Sequence, residues 1–367
     1  MQSDERPAHS YDFHKILTAG IVLPPGSRRL TDLENYFRSY EVKNLITEPE
    51  VIFEIGDYEP SPPSDSASFD RMVIVGKGYV SYRDTDGTTS WVLEASESSG
   101  GGIRARFCQK GGGFDRLLAR NLFAVAFGFR PLLEVCMSNR NWASLHGLGL
   151  RTSSDQGLLL VAPGGFGKTT IAMKAILDSG WRYLGDERVL VGQKSLRSML
   201  VQTGLFEWKI RNLGQEWISG AKKYPAFVRM MLQARRSNCA EGQTATKSHS
   251  SENAPLSNVV ILSHSNLQSP KIEEISAEEA VASAVWNTYG EFLRTYVYMI
   301  PSKSKPSLFR PIAASAMINE KSLFGGHLER LERICMDSFP SSCFRLTLPK
   351  SELDASRILK LLRDIGV

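Results

Sequence analysis

The segment LLLVAPGGFGKTTIAMKAILDSG constrains the fold of this chain more than any other. It opens with a short continuous apolar run, Leu158 to Val161, which is typical of a buried parallel strand. The next eight residues, APGGFGKT, fit the phosphate-loop pattern GxxxxGK[ST], except that Ala162 takes the place of the first glycine. The residues after Thr169 predict a helix that ends just before Gly180. A buried strand, a glycine-rich loop and a helix in succession predict an α/β domain.

The residue types of this loop suit phosphate binding. Glycines let backbone N–H groups converge on phosphate oxygens without side chains in the way. In such loops the lysine, here Lys168, reaches the β- and γ-phosphates, and the hydroxyl of Thr169 is offered to Mg²⁺. The alternative is a glycine-rich turn between a strand and a helix that binds nothing. The predicted nucleotide-binding residues are Gly164, Gly165, Phe166, Gly167, Lys168, Thr169 and Thr170.

An acidic pair follows in WRYLGDERVLV, where the chain is expected to return as the next strand. A carboxylate at the edge of that strand would face a bound Mg²⁺ or the γ-phosphate. Asp186 is placed to accept a proton from an incoming hydroxyl, and Glu187 to hold the metal directly or through water. Asp186 is also a candidate metal ligand beside Thr169. The alternative for each acid is a solvated turn.

The composition narrows the class of protein. The 367 residues carry a net charge of +5, which suits an anionic ligand but is too small to argue for nucleic acid. The five cysteines are scattered, so neither a disulfide framework nor a zinc site is expected. The longest apolar run, NLFAVAFGF, is too short to span a bilayer, and the first residues lack the apolar core of a signal peptide. We therefore expect a reduced, cytoplasmic protein that binds neither nucleic acid nor membrane.

The chain is expected to form two regions. Residues 1–140 contain the short β-type runs RMVIVGKGYVSYR, TTSWVL and IRARF, and DTDG at Asp84 to Gly87 predicts a hairpin turn between the first two. Periodic apolar residues from Phe114 to Met137 predict a helix that closes this β-rich region. Residues 141–367 contain the glycine-rich loop and would form the catalytic domain. Residues 1–140 would recruit the substrate or, alternatively, form a structural half of the fold.

Three motifs in order, LHGLGL, APGGFGKTT and GDERV, resemble the catalytic domain of HPr kinase/phosphorylase and its relatives. The resemblance covers about His146 to Val191. It implies an α/β fold of the HPr-kinase/PEP-carboxykinase type, with a mixed sheet preceded by the β-rich accessory region, and it implies ATP and Mg²⁺ as cofactors. It also implies that Asp186 is the catalytic base, with His146 and Lys168 in the same site. His146 could orient Asp186 or shuttle its proton, or it could be a histidine packed at a domain joint.

A looser similarity extends outward from these motifs. The β-rich region, the closing helix and the ending FRLTLPKSELDASRILKLLRDI resemble HPr-kinase-like proteins of modified-peptide biosynthesis, including lasso-peptide kinases that phosphorylate the terminal serine of a precursor. The similarity implies a serine or threonine hydroxyl of a peptide or protein as the acceptor, and a homo-oligomer. No counterpart of the PxRPGRN-like segment of the bifunctional enzymes is present, so a phosphorylase activity and the HPr substrate are not implied.

The leading hypothesis is a Mg²⁺-ATP-dependent kinase that transfers the γ-phosphoryl group to such a hydroxyl. One alternative is a small-molecule kinase or a nucleotidyltransferase on the same scaffold. Another is a nucleotide-gated binding module without chemistry, which the acidic pair disfavours. An ATPase motor or transporter subunit is disfavoured because the chain has no LSGGQ motif.

Overall fold

The protein has a mixed α/β architecture. Its computed structural model describes residues 7–23, 37–86, 89–98, 100–111, 124–164, 166–186, 188–199, 251–294, 309–318, 321–349 and 354–366. These residues form two mixed β-sheets and six α-helices, so the α/β class that the sequence predicts is confirmed. The chain divides into two compact units, the first being Met1–Arg140 with Phe292–Arg330 and the second Asn141–Glu291 with Leu331–Val367. The assignment of recruitment and catalytic roles to residues 1–140 and 141–367 stays a prediction.

The first unit is built on one sheet, which has eight strands in the described residues. They are β1 (His9–Phe13), β2 (Leu17–Val22), β3 (Val51–Ile55), β4 (Ala67–Ser68), β5 (Val73–Gly76), β6 (Tyr79–Asp86), β7 (Thr89–Glu97) and β8 (Ile103–Gly111). Their order across the sheet is β1-β2-β3-β8-β7-β6-β5-β4. β3 runs parallel to both β2 and β8, whereas the other neighbours are antiparallel.

The two strands predicted on either side of DTDG pair with each other, but the first of them continues further along the chain than predicted. β6 pairs antiparallel with β7 and continues as a strand to Asp86, which lies opposite Thr89. Asp84 was therefore wrongly predicted as a turn residue; it pairs across the ladder with Trp91. Its carboxylate is buried and accepts a hydrogen bond of 2.8 Å from the Tyr82 hydroxyl, which accounts for an acidic residue inside a strand.

Aromatic rings form the core of the first unit. Neighbouring ring centroids lie 5.3 to 6.3 Å apart, a separation at which aromatic side chains attract one another. The rings belong to Tyr11, Phe13, Phe37, Phe53, Phe107 and Phe129. A π-helical turn, Ala124–Phe129, leads into α1 (Arg130–Asn139). The predicted closing helix is confirmed over its last part, and its predicted start at Phe114 lies outside the described residues.

The second unit contains the larger sheet. Its strands are β9 (Ala143–Leu145), β10 (Leu148–Arg151), β11 (Gly157–Val161), β12 (Arg182–Asp186), β13 (Val189–Gly192), β14 (Ser195–Ser198), β15 (Asn253–Ser265), β16 (Lys271–Ile275) and β17 (Cys343–Pro349). Their order is β12-β10-β11-β15-β14-β13-β9, and β17 also pairs with β15 and carries β16 on its other side. β15 runs parallel to β11 and β17, and the remaining pairs are antiparallel.

The remaining helices are α2 (Lys168–Ser179), α3 (Ala277–Arg294), α4 (Phe309–Ile318), α5 (His327–Ser338) and α6 (Ala355–Asp364). α2 and α6 share a buried core with the sheet of the second unit, in which Leu158 and Leu160 of β11 meet Ile171, Ile358 and Leu362. α6 is amphipathic, with Ile358, Leu359 and Leu362 on its buried face. None of the helices in the described part of the chain is long and apolar enough to cross a membrane.

Strand directions bring several chain segments to one edge of this sheet. β12 is antiparallel to β10, which is antiparallel to β11, so β11 and β12 run in the same direction as β15 and β17. Leu148, at the start of β10, pairs with both Leu160 and Asp186. The carboxyl ends of β11, β12, β15 and β17 and the amino end of β10 therefore share an edge. Ligands of open α/β sheets bind at the carboxyl ends of the strands, so we expect a binding site at this edge.

Candidate functional site

The glycine-rich loop connects β11 directly to α2. All of β11 is buried, as predicted, and α2 extends through Ser179. Gly167 precedes the helix with a φ of +81°, and Gly180 ends it with a φ of +65°. Both glycines adopt the left-handed conformation that side chains with a Cβ disfavour. The predicted strand, loop and helix are therefore present in the predicted order.

Most of the predicted nucleotide-binding residues lie at the amino end of α2. Gly164, Phe166 and Gly167 belong to the loop, whereas Lys168, Thr169 and Thr170 form the first turn of the helix. The first backbone N–H groups of a helix have no partner within it and carry a partial positive charge, which favours an anion at this position. Gly165 and Glu187 lie outside the described residues.

Lys168 folds back over its own loop. Its ammonium donates to the carbonyl oxygen of Ala162 and to that of Pro163, the latter at 3.1 Å. It also lies 3.3 Å from Nε2 of His146. The side chain is buried, with 6% of its surface exposed. A buried lysine at the loop would supply a positive charge to a phosphate with little screening by water.

Neighbouring residues contact both the backbone and the ring of His146. Its backbone N–H donates to the Thr288 hydroxyl at 3.0 Å, and its carbonyl oxygen accepts from the Asn287 amide at 2.9 Å. Nδ1 of its ring lies 3.1 Å from a guanidinium nitrogen of Arg188, whose side chain is buried. The structure therefore places one residue from each of the three sequence motifs together: His146, Lys168 and Arg188.

Both ring nitrogens of His146 face groups that can only donate, Arg188 at Nδ1 and Lys168 at Nε2. A neutral imidazole accepts at only one of its nitrogens, so His146 can accept from one of these two cations at a time. Two neighbouring cationic side chains also disfavour a positive charge on the ring. This arrangement suits a histidine that positions Lys168 and Arg188.

Thr169 and Asp186 form the contact that joins the loop to the acidic strand. The Thr169 hydroxyl donates to Oδ2 of Asp186 at 2.8 Å. Asp186 is the last residue of β12, and it is partly buried. The backbone at Arg188 lies close to Gly185, where a Cβ would clash with the Arg188 carbonyl oxygen. The glycine of GDERV thereby keeps Asp186 at the sheet edge and beside the helix.

The pair of Thr169 and Asp186 fits a magnesium ion by its chemistry. A hydroxyl and a carboxylate are hard oxygen ligands, and Mg²⁺ in proteins is commonly held by one or two carboxylates together with phosphate oxygens. Among the described residues, no cluster of three or more histidine, cysteine, aspartate or glutamate side chains could hold a metal by itself. A cation at this position would therefore take its remaining ligands from a phosphate group, from water or from Glu187.

Two contributors to the site were not predicted from the sequence. Thr288 and Asn287 lie on α3, more than a hundred residues after His146, and they fix both backbone polar groups of that residue. Thr288 also donates to the carbonyl oxygen of Ala284 on its own helix. Neither residue belongs to a motif, and helical periodicity indicates only that Thr288 faces inward.

Comparisons with known proteins do not extend these observations. The chain matches no protein-family model and no curated protein.

Proposed function

We propose that this protein is a Mg²⁺-ATP-dependent kinase that transfers the γ-phosphoryl group of ATP to a hydroxyl. The observation that carries the proposal is the hydrogen bond between Thr169 of the glycine-rich loop and Asp186 of the acidic strand. It joins the two sequence motifs at the carboxyl edge of a sheet, next to the amino end of a helix. We further propose that the second unit has the HPr-kinase/PEP-carboxykinase-like fold.

Phosphate binding is assigned to the loop and the first turn of α2. Backbone N–H groups from Gly164 to Thr170 would donate to the phosphate oxygens, as in other phosphate loops. Lys168 would leave the carbonyl oxygens of Ala162 and Pro163 and donate to the β- and γ-phosphates. These carbonyl oxygens accept hydrogen bonds from the ammonium before the nucleotide binds. They therefore offset the cost of burying the charged side chain.

Metal binding is assigned to Thr169 and Asp186, with Glu187 as a third candidate. When bound there, Mg²⁺ neutralises negative charge on the phosphates. The hydrogen bond from Thr169 uses Oδ2 of Asp186, which leaves Oδ1 as the atom to accept the proton of the incoming hydroxyl. General-base catalysis of this kind contributes about 10² to 10⁴ in rate.

His146 and Arg188 are proposed as positioning residues. His146 contacts Lys168 through Nε2 and Arg188 through Nδ1, and its backbone is fixed by α3. A rigid histidine between the two cations would fix the position of the Lys168 ammonium before the nucleotide binds. Such preorganisation lowers the cost of orienting charge during the reaction.

The proposed acceptor is a serine or threonine hydroxyl of a peptide or protein, with residues 1–140 in substrate recruitment. The first unit contains a cavity of about 350 Å³, a size that can bind a small ligand or a side chain. Tyr58, Met72 and Trp91 contribute apolar surface to its lining. The lining also contains two basic residues, Arg83 and Lys110, and two acidic ones, Glu59 and Asp84. We propose that the protein acts in the cytoplasm, as a homo-oligomer, without nucleic acid or membrane as a partner.

Product analysis tests the proposal against its alternatives. The protein would be incubated with Mg²⁺, ATP and serine-ending precursor peptides from the genomic neighbourhood, and both peptide and nucleotide would be followed by mass spectrometry. A peptide that gains one phosphoryl group while ADP forms is expected. AMP with pyrophosphate would instead indicate a nucleotidyltransferase, transfer to a metabolite with ADP a small-molecule kinase, and binding of ATP without turnover a nucleotide-gated module.

A further inference from the structure

A histidine lies on the other side of the glycine-rich loop from Asp186. His264 is near the end of β15, which runs parallel to β11 with Ile261 opposite Val161. It pairs with Leu348 of β17 and is exposed. His264 therefore projects from the same sheet edge as the loop that follows β11.

The ring of His264 is oriented by two contacts. Its centroid lies 4.5 Å from that of Phe166, with the two ring planes inclined at 52°. Phe166 belongs to the glycine-rich loop and packs against the core beneath α2. Nδ1 of His264 lies 3.2 Å from the carbonyl oxygen of Pro349. Because a carbonyl only accepts, Nδ1 carries the hydrogen, and Nε2 of the neutral ring is an acceptor.

The strand order sets the direction in which a nucleoside triphosphate can lie. β12, with Asp186, is separated from β11 by β10 on one side, whereas β15, with His264, is the neighbour of β11 on the other side. If the γ-phosphate lies at the Thr169–Asp186 pair, the rest of a triphosphate that crosses the loop extends toward β15. This direction would place the nucleoside next to Phe166 and His264.

We propose that His264 is the base-binding residue of the nucleotide site, which rests on the function proposed above. The imidazole ring, supported by Phe166, would stack on the purine base of the nucleotide. Stacking on an aromatic side chain is a recurrent way in which proteins bind a nucleobase, and it is tolerant of the identity of the base. Phosphate recognition by the loop does not depend on this contact.

The test compares two ligands that differ only in having a nucleoside. Affinities of ATP and of inorganic tripolyphosphate would be measured by calorimetry with Mg²⁺ for the wild type and for His264→Ala. We expect His264→Ala to bind ATP about tenfold more weakly and tripolyphosphate with unchanged affinity. His264→Phe, which keeps an aromatic ring for stacking, should recover most of the loss. His9→Ala, which removes a partly buried histidine of the first unit, should change neither affinity.

The outcomes separate this inference from the proposed function. Unchanged ATP affinity in His264→Ala, or an equal loss for both ligands, would overturn the role of His264 while leaving the loop as a phosphate site. If wild-type protein bound neither ligand, or if Lys168→Ala bound both as well as wild type does, the proposed function itself would fail and the inference with it. Thermal unfolding at the wild-type temperature would establish that the His264 variants are folded.

Discussion

Two buried histidines, one in each unit, have different surroundings. His327 of the first unit lies 2.9 Å from the hydroxyl of Ser138 through its Nδ1. That hydroxyl donates its hydrogen to the Val135 carbonyl at 2.7 Å, so it accepts from His327, and Nδ1 of His327 carries a hydrogen. His146 of the second unit faces Arg188 with Nδ1 and Lys168 with Nε2, and both of these groups can only donate. The ring of His327 therefore donates to a hydroxyl, whereas the ring of His146 can only accept from one of its two cationic neighbours.

The comparison shows that a buried histidine with an arginine nearby is not sufficient to indicate a site. His327 also has an arginine nearby, Arg330, but both side chains donate to the Ser138 hydroxyl, which in turn donates to a carbonyl oxygen within α1. His146 instead contacts the lysine of a glycine-rich loop, one residue before the threonine that bonds Asp186. We therefore expect substitutions around His146 to change activity, and substitutions at His327 to change stability.

The largest expected effect is that of Asp186→Asn. Removal of the carboxylate should lower phosphoryl transfer by about 10² to 10⁴, because the variant cannot accept the proton of the hydroxyl. ATP affinity measured without Mg²⁺ should stay close to that of wild type. The matched control is Asp178→Asn, which removes an exposed carboxylate of α2 paired with Lys174. Transfer by Asp186→Asn at the wild-type rate would refute the assigned role.

Lys168→Ala is expected to weaken both binding and transfer. Loss of charge-assisted hydrogen bonds to the phosphates should lower ATP affinity about 10- to 100-fold. Lys174→Ala, in the same helix but partly exposed and ion-paired with Asp178, should leave affinity unchanged. Titration calorimetry of the two variants measures the difference. Equal affinities would mean that the loop does not bind phosphate.

The two histidines can be compared directly through asparagine variants. His146→Asn should lower kcat about five- to tenfold with a smaller change in KM, because Lys168 and Arg188 lose part of a shared partner. His327→Asn should lower the free energy of unfolding by about 1–3 kcal/mol and leave kcat unchanged. Steady-state kinetics and denaturant unfolding would be measured for both. The distinction between the histidines would be lost if both variants changed the same quantity.

His327 should also produce a pH dependence of stability. Burial, with the charge of Arg330 as a second cause, lowers the pKa of His327 to about 3. In the unfolded chain a histidine has a pKa of about 6.5, so the unfolded state binds more protons between these values. The contribution of neutral His327 to the free energy of unfolding is therefore complete above pH 6.5. It is lost as the pH falls, by up to about 1.4 kcal/mol per pH unit. In denaturant titrations from pH 7 to pH 5, His327→Asn should show a smaller decrease than wild type.

The local features of the site were predictable from the sequence. The apolar run before the loop, the glycines and the following helical residues determine β11, the loop and α2 through short-range geometry. The return of the chain as a strand ending at Asp186 was also expected, since the helix ends at Gly180 and apolar residues follow. These features depend on neighbours within about 30 residues in the chain.

The long-range contacts were not predictable from a single sequence. The pairing of β15 with β11, which brings His264 to the loop, joins segments about a hundred residues apart. The contacts of Thr288 and Asn287 with the backbone of His146 depend on how α3 packs, and an internal threonine gives no signal of its partner. The end of β6 was predicted too early because aspartate is common in turns. Within the strand, the Asp84 carboxylate accepts a hydrogen bond from the Tyr82 hydroxyl.

The central claim is that this chain transfers a phosphoryl group from ATP to a hydroxyl through Asp186 and Lys168. The most direct measurement is mass spectrometry of serine-ending peptides and of the nucleotide after incubation with Mg²⁺ and ATP, for wild type and Asp186→Asn in parallel. We predict a peptide heavier by one phosphoryl group and an equal amount of ADP with the wild type, and at most about a hundredth of these amounts with the variant in the same time. Formation of AMP and pyrophosphate, or equal phosphorylation by both proteins, would contradict the account.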